Sequence, residues 1–383
     1  MKEICPAQVA YFNSSEVLSP TEYHQSIFLF VIEFGYLFVV MVVAASVNIL
    51  VMIAILRIPM LRRNKNNILV LNLIIMDLCT TLGSMPFALA DLFWTGYFIC
   101  HQLLCRVHGF FALLGCFGNF SAIVLISIYR CINIVTGTKF TIQKKHLIIM
   151  IAIGWLCACL VTMPSISGLT SSPAYTLGTH HCTPSWGDSC AFYTICIAIM
   201  YLGTIPTLII CYALIQVEVT RSADRVGKYM NESCRADSPM DDSNNGRKLT
   251  VDERNRDFTE TKGNDKMTSA IPTISETMQS RGGGICRRGR FKSKRTPPRR
   301  IKRTDRKVAL AAMLLILTTT VCWTPYFIVH SCRLKIDPTH AQQVFAMWVA
   351  YTNAALDPII YTILNTKIRR AVLQQLHLSP RCC

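Results

Sequence analysis

The chain has 383 residues, 51% of them hydrophobic and only 16% charged, with a mean hydropathy of +0.36. Soluble domains carry nearer ~25% charged residues, so the composition excludes a water-soluble globular protein and points to the membrane. The net charge of +17 does not signal a nucleic-acid partner, because twelve Lys/Arg stand against one Asp between Arg287 and Lys307, next to an apolar span. A juxtamembrane run of this kind is attracted to anionic lipid and marks the cytoplasmic side.

A spanning helix needs roughly 20 mostly apolar residues. Seven stretches qualify, at about 26–56, 67–93, 102–134, 147–169, 190–219, 306–332 and 340–364. These runs are too long for barrel strands, and lipid offers no partners for open backbone groups, so helices are expected. The seventh, containing "MWVAYTNAALDPIIYTIL", is the weakest by hydropathy. The fold class is therefore all-α, a seven-transmembrane helix bundle.

Residues 1–25 read as an extracellular arm with a glycosylation sequon at Asn13. The opening "MKEICPAQVAYFNSSE" lacks the basic-then-apolar order of a cleavable signal, so the first span is expected to serve as one. Transmembrane helices one to five occupy 26–220. The loops holding Arg57, Arg62, Arg63 and Lys65, and Lys139, Lys144 and Lys145, are basic, which places the N-terminus outside and the C-terminus inside. Residues 221–305 form a long cytoplasmic loop whose first part, 221–286, holds eleven acids and eleven bases with few aromatics. Such a segment buries too little apolar surface to offset its chain entropy and is expected to be largely disordered. Helices six and seven follow in 306–364, and 365–383 read as a cytoplasmic amphipathic helix and tail. In "NTKIRRAVLQQLHL", Ile368, Val372, Leu373 and Leu376 fall opposite Lys/Arg, as on a helix lying at the inner membrane surface. Cys382 and Cys383 beyond it are candidates for lipidation.

Cys5, Cys100, Cys105, Cys182, Cys190 and Cys332 fall on the oxidising side or at its edge. Cys105 with Cys182 is the favoured disulfide, with Cys190 as the competing partner. Several polar residues interrupt the spans: Asn48, Asp77, Asn119, Asn353 and Asp357. Intramembrane polar groups are functional candidates by default. Two carboxylates with amides at similar depth can hold a cation, a sodium ion at Asp77, or share a proton. The alternative is interhelical hydrogen bonding alone.

Taken in order, "VNILV" with Asn48, "LNLIIMDL" with Asp77, Cys105 followed by Arg130, then Trp155, "CWTPY" and "DPIIY" resemble the rhodopsin-like (class A) G-protein-coupled receptors. The stretch "CRVHGFFALLGCFGNFSAI" is most similar to melatonin receptors and opsins. The resemblance implies a multi-pass receptor of the plasma membrane with a heterotrimeric G protein as partner, arrestin as a further one, and no cofactor. It implies that Arg130 ends span three where the G protein enters, with Tyr212 and Tyr361 serving the same face. The family's usual acid before that arginine is replaced by Tyr129, which leaves Asp305 as the candidate restraint. In span five Thr204 stands for the usual proline, and Thr319 replaces an aromatic beneath Trp323.

Amine receptors use an acid eighteen residues before the arginine; here that residue is Ala112. Opsins use a lysine where this chain has Tyr351. A small, uncharged, non-amine ligand is therefore expected, in a pocket drawn from His108, Phe111, Ala112, Gly115, Trp323, Tyr326, His330 and Tyr351. The small residues Gly109, Ala112, Gly115 and Gly118 serve either close helix crossing or room for that ligand. His108, Arg106, His180, His181 and His330 could instead receive a carboxylate. No internal repeat suggests a transporter, and no HExxH, GxSxG or CxxC constellation suggests an enzyme. A constitutively active or ligand-independent protein modulating another receptor is the alternative.

Overall fold

The computed structural model describes residues 27–94, 98, 101–137, 142–167, 173–176, 179–184, 186, 189–236, 303–334 and 338–376. The expected sites at Asn13, Cys382 and Cys383 lie outside the described residues, as do the arm 1–25, most of the long loop and the side chain of Asp305.

Seven long helical passages and a short closing helix make up the bundle. The first passage is α1 (Ile27–Arg57), followed by a single turn, α2 (Pro59–Arg62). The second is broken into α3 (Lys65–Gly83) and α4 (Met85–Phe93). The break falls where Pro86 lacks a backbone donor and its ring crowds the preceding turn. Then come α5 (Gln102–Val135), α6 (Lys144–Ile166), a hairpin of β1 (Pro173–Thr176) and β2 (His181–Pro184), and α7 (Cys190–Ala236). Next are α8 (Arg303–Val329), α9 (His340–Leu364) and α10 (Thr366–Gln375). Six of the passages are long and apolar enough to cross a membrane by composition. The seventh, α9, is helical over the expected 340–364 and carries Asn353 and Asp357 on buried positions.

Helix α7 continues past the expected end of the fifth span to Ala236, so the first residues of the long loop are helical rather than disordered. The membrane span supplies the nucleus, which is the costly step. The exposed Arg221, Ala223, Arg225, Lys228 and Glu232, good helix formers, then propagate the helix. A capping box starts α9, with Thr339 accepting from the Gln342 amide and the Gln342 side chain accepting from the Thr339 amide. Asn365 separates α9 from α10 and caps the latter by accepting from the amides of Lys367 and Ile368. Ile368, Ala371 and Val372 of α10 are buried, and the helix packs on α1 and α9.

Helix α5 is the central post, packed on α3, α6, α8 and the hairpin. Gly115 and Gly118 face Thr80 and Met76 of α3 so closely that an added Cβ would collide with them. Close helix crossing is what those glycines provide. Gly109 does the same for the hairpin, since a Cβ there would sit 2.9 Å from the Cys182 carbonyl oxygen. Large apolar side chains face outward, among them Phe28 and Val39 of α1 and Ile149, Leu156 and Leu160 of α6. In a membrane this is the lipid face.

Candidate functional site

At the outer end, among the described residues, two disulfides fasten the second outer loop. Cys105 joins Cys182, Cα–Cα 5.4 Å, tying β2 to the top of α5. Cys190, the competing partner in the sequence, instead joins Cys332, Cα–Cα 5.6 Å, linking the start of α7 to the segment after α8. Thus anchored, the hairpin lies over a pocket lined by Ala112, Leu113, Cys116, Phe117, His181, Thr183, Trp186, Trp323, Tyr326, Phe327 and Met347.

Of the expected pocket residues, Ala112, Trp323 and Tyr326 line it. The others stand outside the lining. His108 is fully buried behind His181, their rings 4.4 Å apart, and accepts from the Cys182 amide at 3.4 Å. His330 stacks on Tyr326. Tyr351 shares a hydrogen bond with Ser84 at the break between α3 and α4, 2.9 Å. Phe111 lies against Gly83, where an added Cβ would strike its ring. Gly115 belongs to the α3 contact.

The loop contributes more of this pocket than sequence reasoning assigned to it. Trp186 donates its indole N–H to the Tyr326 hydroxyl at 3.1 Å. The pocket also holds buried polar atoms without hydrogen-bond partners: Nε1 of Trp323 and both ring nitrogens of His181. Buried polar groups are nearly always satisfied, so these atoms mark where a ligand's polar groups would be met. Burial, reinforced by the neighbouring His108 and His330, holds His181 well below the usual histidine range. It is neutral at physiological pH and is not the cation that a carboxylate would need.

Midway down the bundle, the predicted polar residues of three helices come together. The Asn119 side-chain amide donates to Asp77 at 2.6 Å and to Asp357 at 3.0 Å. Asn353 donates to Asp357 at 3.1 Å and to the Asn119 oxygen at 3.4 Å. Thr319 joins them by donating to Asn353 at 3.0 Å. That hydroxyl gives a role to the position where the aromatic is missing. Asn48 stands apart, donating to the Ala44 and Ala354 carbonyl oxygens. One oxygen each of Asp77 and Asp357 remains without a hydrogen-bond partner.

At the cytoplasmic end, Arg130 donates to the Tyr361 hydroxyl at 3.3 Å. It lines a groove with Tyr212, Leu208, Ile215, Ala312 and Ile316, among others, between α5, α7 and α8. Tyr129, one residue earlier and about 100° around the helix, turns away and is buried in an apolar cluster with Leu73, Ile123 and Leu315.

Two acids that sequence reasoning passed over lie near the mouth. Glu33 of α1 and Asp91 of α4 are both buried. A single acid inside an apolar run was the available signal.

Seven passages, a capped tail helix, an outer-loop clasp and an arginine at the inner end of the third passage define a heptahelical membrane receptor. Residues 47–361 match the 7 transmembrane receptor (rhodopsin family), and the chain belongs to it. It is a multi-pass protein of the plasma membrane. It is 25% identical over 344 residues to 5-hydroxytryptamine receptor 1 of Drosophila melanogaster, covering 80% of this chain and 57% of that relative. It is 24% identical over 377 residues to the alpha-2 adrenergic receptor of Labrus ossifagus, covering 85% and 86%. The G-protein coupled receptor moody of Drosophila pseudoobscura pseudoobscura is 23% identical over 87% of this chain and 50% of its own length. The chain thus spans about half the length of several curated relatives that it matches. Squid rhodopsin shares the fold with a TM-score of 0.65 at 16% identity, over 98% of this chain and 90% of its own.

Proposed function

We propose that this chain is a G-protein-coupled receptor that converts binding of a small, non-amine extracellular ligand into activation of a heterotrimeric G protein. The observation carrying the ligand class is the pocket lining: among the described residues it contains no acid, and Ala112 stands where an ammonium counter-ion is expected. Its polar groups are neutral, the Trp323 N–H as donor and the His181 ring as donor or acceptor. They suit a flat ligand with one or two hydrogen-bonding groups. The relatives include amine receptors by name, so the competing expectation is explicit. A panel of biogenic amines and of neutral aromatic and lipid-like compounds, read through several G proteins, tests it. A saturable response to an amine, whether or not Ala112→Phe removes it, would overturn the non-amine reading.

In this reading Arg130, with Tyr212 and Tyr361, forms the face that receives the G protein, and arrestin shares that face. The midplane cluster fits a sodium ion, because Asp77 and Asp357 each keep one oxygen unsatisfied beside neutral amides. A bound monovalent cation would supply the positive charge that two buried carboxylates lack. Asp77 and Asp357 would hold it, with Asn119 and Asn353 orienting them. Nothing in the geometry favours the ligand-independent alternative, and basal signalling without ligand measures it directly.

A further inference from the structure

Above the pocket, three elements far apart in sequence bring an unusual set of side chains together. Glu33 comes from α1, His180 from the turn before β2, and His340 from the first turn of α9. Their donor atoms all lie within 4.8 Å of one another. Nε2 of His340 is 3.1 Å from Glu33 Oε1, and Nε2 of His180 is 3.9 Å from Glu33 Oε2. His180 is 2% exposed, and its Nε2 has no hydrogen-bond partner. Its other nitrogen, Nδ1, is 2.9 Å from Asp91 Oδ2, which also accepts from the Tyr175 hydroxyl.

We propose that Glu33, His180 and His340 form an extracellular binding site for a zinc-like divalent cation. The chemistry of His180 carries the argument. An imidazole that donates through Nδ1 to Asp91 presents the lone pair of Nε2 on its far side. That lone pair is buried, unsatisfied and aimed at a carboxylate, an arrangement that repels unless a positive charge lies between them. Two imidazoles and one carboxylate are a donor set that zinc accepts, with ligand bonds of roughly 2.0–2.2 Å. Tetrahedral bonds of that length place neighbouring donors roughly 3.3 Å apart. The observed separations bracket this value, so closure needs only side-chain movement. The Asp91 contact supplies the outer carboxylate that ligating histidines use to fix tautomer and ring orientation. His340 is 30% exposed, which leaves a route for the ion. His180 also adopts a left-handed backbone, φ 50°, which helps turn its side chain inward.

A cation there would pin the loop that covers the pocket to α1 and α9. It would stiffen the lid without touching the ligand. The competing occupant is a proton on His180, bridging Asp91 and Glu33 as an imidazolium.

The receptor chain, purified in lipid nanodiscs and stripped with chelator, is titrated with zinc chloride at neutral pH and followed by thermal unfolding and calorimetry. The same preparation is titrated with cobalt(II) and followed by visible absorption. The expected result is a saturable rise in melting temperature with one-to-one stoichiometry, and a cobalt spectrum of low coordination number. His340→Ala and Glu33→Gln should abolish both signals. His340 is partly exposed, so its replacement leaves the fold intact, and equal melting of stripped parent and variant checks this. Asp91→Asn should weaken zinc binding about 10- to 100-fold. His101→Ala, outside the cluster, should change nothing. A parent receptor indifferent to zinc overturns the proposal and leaves the imidazolium bridge. So does a zinc response that His340→Ala and Glu33→Gln both retain.

Discussion

The two ends of this receptor are held by different kinds of interaction. Among the described residues the outer end has two disulfides, and its buried acids Glu33 and Asp91 face imidazoles. The middle and inner end contain no disulfide among the described residues; there the buried acids face neutral amides, and Arg130 meets a tyrosine hydroxyl. Amides satisfy a carboxylate without changing charge themselves, so the midplane cluster is set by whichever cation enters it. Imidazoles respond to both protons and metals. The outer end is therefore covalently stiff but chemically responsive, and the inner end is loosely fastened and free to rearrange. A receptor that must pass a signal inward needs that asymmetry.

The largest expected effect tests the stiffness of the outer end. Cys182→Ser opens a link between residues 77 apart in sequence, and losing such a closure costs about 4 kcal/mol. Surface expression should fall to a small fraction of the parent, with Cys105→Ser no better and the double variant no worse. Peptide mapping that joins Cys105 to Cys190 would contradict the arrangement.

The midplane cluster sharpens the comparison from the other side. Asp77 and Asp357 share the Asn119 amide, so Asp77→Asn and Asp357→Asn should be non-additive in signalling by about 1–2 kcal/mol, as expected for groups in one network. The coupling should depend on sodium concentration. Simple additivity with no response to sodium would reduce the cluster to interhelical hydrogen bonds.

An intermediate effect comes from His181, which lies outside the spans on β2. Burial, reinforced by the neighbouring His108 and His330, depresses its proton affinity, and Tyr351 packs against the same ring. The folded state keeps His181 neutral while the unfolded chain takes up a proton below its ordinary value near 6.5. The unfolded state then binds more protons, so His181 contributes a loss of stability as pH falls below that value, up to about 1.4 kcal/mol per unit. Melting curves at pH 7.5 and pH 5 should differ less in His181→Phe than in the parent. An unchanged pH dependence would remove His181 from the responsive set.

The two ends also differed in how far the sequence revealed them. The spans, the tail helix and four members of the midplane cluster were legible because helical spacing and apolar runs are local signals. Asn353 and Asp357 are four apart and must share a face. The outer network was not legible. Glu33, Asp91, His180 and His340 come from four elements, and only packing decides that they meet. Asp91 lies beyond the break at Ser84, where the helix restarts and spacing from Asp77 no longer predicts its facing. The Cys190–Cys332 link was hidden for the same reason, since six outer cysteines permit fifteen pairings. The extension of α7 to Ala236 was missed because a charged composition resembles disorder when the preceding span's nucleating effect is left out.

The smallest expected effect concerns Arg130. Tyr129 offers it no charge, being turned into an apolar cluster, so an acid placed there would be buried in that cluster rather than beside the guanidinium. One contact that reaches Arg130 is the Tyr361 hydroxyl, at 3.3 Å. Hydrogen bonds to charged groups contribute about 1.5–3 kcal/mol at good geometry, and this one is long, so about 1 kcal/mol is a reasonable value. Tyr361→Phe keeps the ring, which is 1% exposed, and removes only that bond. If the bond restrains Arg130 within the groove beside α7 and α8, its loss should raise ligand-free G-protein activation about fivefold. Surface expression should be unchanged. Tyr129→Phe, which also keeps its ring, should leave basal activity where it was. Basal activity unchanged in Tyr361→Phe but raised in Tyr129→Phe would mean that the inner end is restrained through Tyr129 after all, and the contrast drawn between a covalent outer end and a hydrogen-bonded inner one would have to be rebuilt around packing.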